Sequence, residues 1–229
     1  MSRALQAIVF DFDGVIANSE PLHLQAFQQA LAPDGIELSP AEYYARYLGY
    51  DDVGLFEALA KDLGLSLSGG HVTTLVTRKG ERMQALLRSG SVLFPGATEF
   101  IREAAAVVPI AIASGAMRHE IDDVIDAAGM TDLFSTIVAA GDTPQSKPSP
   151  APYRLALERL RATSQRDIDP RRAVAIEDSK WGLESAQGAG LRLVGITNSY
   201  PAHELTGAEL VVDSLKALTL PALDRLCAS

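Results

Sequence analysis

Six short apolar runs constrain this chain more than any other feature: residues 7–10, 107–113, 136–140, 173–176, 191–196 and 210–212. They are rich in Val and Ile, and each stops at small or acidic residues. A strand covered on both faces reads as a continuous apolar run and not as an alternation, so these runs suit a parallel sheet buried between helices. Stretches with helical spacing fall between them, at 98–107, 118–128, 151–161 and 181–190. Pro150 and Pro152 sit where a helix would begin, and Gly129 and Gly190 where two helices would end. Strand alternating with helix predicts an α/β fold with a doubly wound, mostly parallel sheet.

The interval from about Pro21 to Leu93 breaks that rhythm. It has helical periodicity at 22–31, 41–48, 55–63 and 72–87 but no run that reads as a buried strand. The reading is a helical domain, residues 19–92, inserted straight after the first strand of a core domain made of 1–18 and 93–229. Its frame is Asn18-Ser19-Glu20 on one side and Phe94-Pro95-Gly96 on the other. A chain of 229 residues is long enough for one core plus a smaller insertion. Segments 66–70 and 163–170 read as surface loops, and there is no repeat or low-complexity tract.

Composition removes several function classes. With 47% hydrophobic residues the chain can bury a core, which excludes general disorder. A net charge of −9 argues against sequence-independent nucleic-acid binding, which needs a cationic face. It leaves anionic small substrates open, because a few local cations or a metal reverse the sign at one site. No stretch approaches the ~18–20 apolar residues of a membrane helix, and the Met-Ser-Arg start lacks the apolar region of a secretory signal. Cys227 is the only cysteine, so an intrachain disulfide is impossible. The expectation is a cytoplasmic protein without membrane or nucleic-acid partners, with a monomer as the default state.

Ligands of open α/β sheets bind beyond the carboxyl ends of the strands. Here the first run ends in Asp11-Phe12-Asp13-Gly14 and the second in Ser114-Gly115. After the third come Asp142 and Lys147-Pro148, and the fourth ends in Glu177-Asp178. Carboxylates gathered at one point repel unless a cation joins them, and a hard ion such as Mg²⁺ takes oxygen ligands. An Asp carboxylate can attack phosphorus, and a second one beyond the same turn can protonate the leaving oxygen and later activate water. A lysine, a hydroxyl and backbone N–H groups would neutralise charge developing on the phosphoryl oxygens.

Taken together and in this order, Asp11-Phe12-Asp13-Gly14-Val15, Ser114-Gly115, Lys147-Pro148 and Glu177-Asp178-Ser179 resemble the four motifs of the haloacid dehalogenase superfamily. The resemblance runs over essentially the whole chain, and the insertion lies where that superfamily's first subclass carries its cap. Within it, the chain is most similar to the β-phosphoglucomutase and phosphoglycolate-phosphatase-like branch. The resemblance implies Asp11 as nucleophile and Asp13 as general acid/base. It implies Mg²⁺ held at Asp11, Asp13 through its carbonyl, and Asp178, with Glu177 adjacent in the metal set. Ser114, Gly115 and Lys147 would bind the phosphoryl group, and Ser19 would fall in the hinge. His23 and Lys79 match a histidine and a lysine of the mutases' cap. One departure stands out: aligned on Gly49, the position of the mutases' phosphate-gripping arginine is Asp52.

Each motif has a plainer reading. Asp and Gly are common in turns, Ser114 suits a helix N-cap, and Glu177-Asp178 suit a helix N-terminus. A calcium loop is excluded, because Val15 and Ile16 stand where that pattern needs an oxygen ligand and a glycine. His23 alone reads as a partly buried helix histidine, Lys79 as part of a solvated charged face, Tyr43, Tyr44, Tyr47 and Tyr50 as helix packing, and Trp181 as core or edge packing. The functional expectation is a Mg²⁺-dependent phosphatase of a small phosphorylated metabolite, its cap closing over the substrate. A phosphoglucomutase-type isomerase is the alternative. A dehalogenase has no use for Asp13 and Asp178, a phosphoacceptor receiver has no helical insertion, and a silent binding protein would have lost one of the four key residues.

Overall fold

The first apolar run folds as β1 (Ala7–Phe10), every residue of it buried. In the computed structural model, which describes residues 3–47, 50–87 and 92–228, β1 lies inside a six-stranded sheet. The other strands are β2 (Ile110–Ala113), β3 (Phe134–Val138), β4 (Ala173–Glu177), β5 (Arg192–Ile196) and β6 (Leu210–Val212). Their order is β3-β2-β1-β4-β5-β6, and each described pairing is parallel. Strands β1, β2 and β4 are wholly buried, whereas β6 at the edge is only partly covered. The order reverses direction between β1 and β4, and a crevice opens at the carboxyl ends of the strands on either side of such a switch point.

Two compact units make up the chain: Met1–Asn18 with Ser91–Ser229, and Ser19–Gly90. In the first, the covering helices are α5 (Ala97–Ala105), α6 (Arg118–Ala127), α7 (Ala151–Ser164), α8 (Lys180–Gly188) and α9 (Leu220–Ala228). One face of the sheet packs through Phe10, whose ring meets Phe100 and Phe134 edge-on at 6.2 and 6.3 Å between centroids. The other packs through Tyr153, Leu157 and Leu160 of α7 and Leu183 of α8. Pro152 sits in the first turn of α7, and Gly129 and Gly190 take positive φ just past α6 and α8, the conformations their positions predict.

The second unit holds α1 (Glu20–Leu31), the short α2 (Pro40–Glu42) running into a π-helical turn at Tyr43–Tyr47, α3 (Asp52–Asp62) and α4 (Gly69–Leu87). Its core gathers Leu24, Phe27, Leu31, Tyr43, Phe56 and Leu75, among others. None of its described residues forms a strand. Ser39 opens α2 with a reciprocal capping box to Glu42, and the Asp51 side chain accepts from Gly54 N at 2.7 Å at the start of α3. Leu48 and Gly49, on which the alignment of Asp52 rests, lie outside the described residues.

Some boundaries differ from expectation. Strand β2 begins at Ile110 and not at Val107, because Val107 N and Val108 N still donate to Ala104 O in the turn that ends α5, and Pro109 has no N–H to give a ladder. Strand β3 starts earlier, at Phe134, where the ring packs on Phe10, and ends at Val138. Helix α4 begins at Gly69, within a segment expected as loop. Helix α9 has no counterpart among the expected helices; Leu220, Leu223 and Cys227 form its buried face, and Asp224 Oδ1 accepts the N–H groups of Ala4 and Leu5 at 2.8 and 2.9 Å. No helix among the described residues is long and apolar enough to cross a membrane.

Phe10 is wholly buried between two rings. Phe10→Ala is expected to lower stability by about 3–5 kcal/mol. A urea titration followed by circular dichroism checks this, and an unchanged midpoint would contradict the packing described.

Candidate active site

At the end of β1 the chain leaves the sheet on Asp11, whose N–H still donates to Ile176 O of β4 at 2.9 Å. The next residues fold back tightly: Ile16 N and Ala17 N both donate to Phe12 O at 2.9 Å, and Gly14 N to Ala17 O at the same distance. Gly14 takes φ +76°, and a Cβ there would lie 1.7 Å from Asp178 Oδ2. Only glycine lets this turn pass so close to the carboxylate that follows β4. The two acid-bearing strand ends are therefore in contact.

Between them stands Lys147. Its ammonium donates to Asp11 Oδ1 at 2.9 Å and to Glu177 Oε1 at 2.6 Å, with the Tyr153 ring 5.2 Å away. Asp11 Oδ1 also accepts Phe12 N at 2.7 Å. Glu177 is fully buried and well satisfied: Oε1 accepts the Tyr153 hydroxyl at 2.7 Å, and Oε2 accepts Asp178 N and the Ser179 hydroxyl at 3.2 Å. Gly182 makes room for it, since a Cβ there would sit 1.9 Å from the Glu177 carboxyl carbon. Asp178 Oδ2 takes a short hydrogen bond from the Ser199 hydroxyl.

Among the described residues, Asp11, Glu177 and Asp178 each offer an oxygen within 4.8 Å of the others, all three buried. Three carboxylates face one ammonium, and their proton affinities show the imbalance. Burial pushes the Asp11 carboxyl well above the usual range and Glu177 adds to it, against the pull of Lys147. Burial and then Glu177 raise Asp178 to about 7, opposed by the Ser199 hydrogen bond. Burial disfavours the Lys147 charge, but Asp11 and Glu177 outweigh it and hold the ammonium charged. Burial and Glu177 keep Tyr153 a phenol. An all-oxygen donor set short of positive charge fits a hard divalent cation such as Mg²⁺.

Ser114 lies at the end of β2, the other neighbour of β1. It is buried, its N–H donates to Val138 O at 3.0 Å, and its Oγ accepts Ala116 N at 3.0 Å. At Gly115 a Cβ would meet nothing within 4 Å, so the backbone there is open to a ligand. Asp13 is partly exposed and bridges to Ala17 across the turn.

The remaining expected residues meet each other inside the second unit. Lys79 Nζ lies 2.8 Å from Asp52 Oδ1, 3.1 Å from His23 Nδ1 and 5.0 Å from the centre of the Phe27 ring. Lys79 is only 2% exposed, so the solvated face expected around it does not include this residue; the Asp52 carboxylate and the Phe27 ring offset its burial. His23 is partly buried, as expected, and burial together with Lys79 drives it down to about 3. The imidazole is neutral, with Nδ1 accepting from the ammonium. Beside this group, the Tyr43 hydroxyl donates to Glu20 Oε1, and burial raises the Glu20 carboxyl. Ser19 is buried.

One packing expectation changes. Tyr43 and Tyr47 are buried, but Tyr44 and Tyr50 are exposed. Trp181 is 45% exposed and lies edge-on to Tyr200 at 6.1 Å. The residues that motif reading passed over are Tyr153, Asn198 and Ser199. The strand-end rule applied to β5 would have pointed to the last two, because they follow Ile196 almost at once.

The model of the haloacid dehalogenase-like hydrolases matches residues 5–190. Protein CbbY of Cereibacter sphaeroides is 33% identical over 225 residues, 93% of this chain and 94% of that protein. A variant of CbbY from Rhodobacter sphaeroides, crystallised with xylulose-(1,5)bisphosphate, superposes with a TM-score of 0.82 at 32% identity, covering 96% of this chain and 99% of that one. The phosphoglycolate phosphatase of Pectobacterium atrosepticum is 27% identical over 214 residues, 92% of this chain and 89% of that protein.

The His23 environment carries a signed pH dependence. Folding holds the imidazole neutral down to about 3, while the unfolded chain protonates it near 6.5. Stability is therefore complete above ~6.5 and lost as pH falls towards 3. Between pH 7 and pH 5 the wild type should lose up to about 2 kcal/mol more than His23→Asn, measured by urea titration at each pH. Parallel losses in the two proteins would contradict a neutral buried His23.

Proposed function

The chain belongs to the haloacid dehalogenase-like hydrolases, and on that footing we propose that it is a Mg²⁺-dependent phosphatase acting through a phosphoryl group carried on Asp11. It is a phosphomonoesterase of a small phosphorylated metabolite, a sugar phosphate or a phosphoglycolate-like ester. The observation that carries this reading is the Asp11 carboxylate, presented at the end of β1 and clamped by Lys147 beside Asp178. The names of its relatives support the substrate class: CbbY crystallises with a sugar bisphosphate, and the other relative is a phosphoglycolate phosphatase.

The cycle follows from these residues. The Asp11 carboxylate attacks phosphorus, and the bond from phosphorus to the ester oxygen breaks. Asp13, entering protonated, gives its proton to the leaving alkoxide. Asp13 then takes a proton from a water molecule that attacks the same phosphorus, which frees Asp11 and releases inorganic phosphate. Lys147, Ser114 and the open backbone at Gly115 balance charge on the phosphoryl oxygens. Asp11, Asp178 and the Asp13 carbonyl would hold Mg²⁺, which supplies positive charge to the phosphoryl oxygens and relieves carboxylate repulsion. Glu177, with both oxygens already taken, serves in this reading by fixing Lys147 and the loop to Asp178.

Phosphatase is preferred to mutase because a mutase must also grip a second phosphate. The position matching the mutases' gripping arginine is Asp52, and its carboxylate is paired with Lys79 inside the insertion. That cluster, with a neutral His23, offers no net positive charge.

The test is inorganic phosphate released from a panel of phosphorylated sugars and short organic acids. Release is expected with Mg²⁺ from a few esters, lost with chelator, abolished in Asp11→Asn, and slowed about 10²–10⁴-fold in Asp13→Asn. Normal turnover by Asp11→Asn would overturn the nucleophile. Activity that survives chelation would overturn the metal.

A further inference from the structure

We propose that the loop following β5 sets how tightly this chain holds its divalent cation, with Asn198 and Ser199 as positioning residues that act through Asp178 and Gly14. The proposal rests on the reading of Asp178 as a metal ligand and adds a cause for its geometry.

A carboxylate that gives one oxygen to a cation is free to turn about its last bond unless the other oxygen is held. Here Asp178 Oδ2 is held by the Ser199 hydroxyl. The grip is enclosed, because a Cβ at Gly14 would lie 1.7 Å from that oxygen and 3.0 Å from Ser199 Oγ. Gly14, Asp178 and Ser199 thus touch, and the carboxylate cannot swing towards the first-strand turn without displacing backbone.

The neighbouring residue grips the other side. Asn198 Nδ2 donates to Gly14 O at 2.7 Å, fixing the turn that carries Asp13. One loop therefore holds both the carboxylate after β4 and the backbone after β1. The loop is itself anchored: it continues directly from β5, Thr197 N donates to Val212 O of β6 at 3.1 Å, and Tyr200 lies edge-on to Trp181. These contacts all lie within the first unit, so the device needs nothing from the insertion.

Outer partners that orient metal-binding side chains typically change metal affinity by about 10–100-fold when removed. Equilibrium dialysis of chelator-stripped protein against Mg²⁺, with no substrate present, reads this directly. Ser199→Ala should bind Mg²⁺ at least tenfold more weakly than wild type, and Asn198→Ala should also weaken it. Ser199→Thr, which keeps the hydroxyl, should bind more tightly than Ser199→Ala. Urea midpoints taken without metal separate this from unfolding, since a merely structural Ser199 would lower the midpoint and leave the Mg²⁺ dissociation constant alone. Dissociation constants within about threefold of wild type in both alanine variants would overturn the proposal while leaving Asp178 a ligand. A wild type that binds no Mg²⁺ would overturn the metal reading and this inference with it.

Discussion

Lys147, held between Asp11 and Glu177, is the interaction on which the site depends. Three carboxylates and one ammonium are buried together, and removing such groups from water costs several kcal/mol each unless they are bonded on all sides. The fold meets that demand mostly through Glu177. It takes Lys147, Tyr153, Ser179 and the Asp178 N–H, and the absence of a side chain at Gly182 lets α8 close over it. With Glu177 saturated, Asp11 and Asp178 carry the remaining imbalance. A buried ion pair is weak evidence for stability, so this arrangement reads as a cost accepted for chemistry.

The sheet order makes the arrangement possible. Asp11 follows β1 and Glu177 ends β4, and these are the strands between which the order reverses. Ser114 comes from β2 on the other flank, and Asn198 and Ser199 follow β5 beyond β4. Four strand ends of the first unit thus lie side by side at the carboxyl side of the sheet, and the glycines at 14 and 182 let backbone come within side-chain distance of two of the acids. The second unit follows a different logic. It buries a lysine in an apolar helical core by pairing it with Asp52 and setting it over Phe27, and burial together with that lysine keeps His23 uncharged.

Much of this was legible because it depends on local pattern. Strands buried on both faces must be apolar without alternation, and candidate ligands follow such strands, so the sheet and the gathering of Asp11, Lys147, Glu177 and Asp178 beyond it could be read along the chain, as could the place of Ser114 at the end of β2. What stayed hidden depends on partners distant in sequence. Lys79 sits in a charged stretch that predicts solvent, and Asp52, His23 and Phe27, on other helices, account for its burial. Helix α9 is defined by a three-residue apolar face and by Asp224 reaching the N-terminal segment. Tyr153 and Ser199 are single polar residues whose roles appear only when Glu177 and Asp178 stand beside them.

The proposed reaction turns on a phosphoryl group carried by Asp11. The most direct measurement is an acid quench during turnover of the best ester, followed by peptide mass spectrometry. A phosphoryl group is expected on the peptide bearing Asp11, released by hydroxylamine as an acyl phosphate must be. A phosphoryl group found on another residue and not on Asp11 would contradict it.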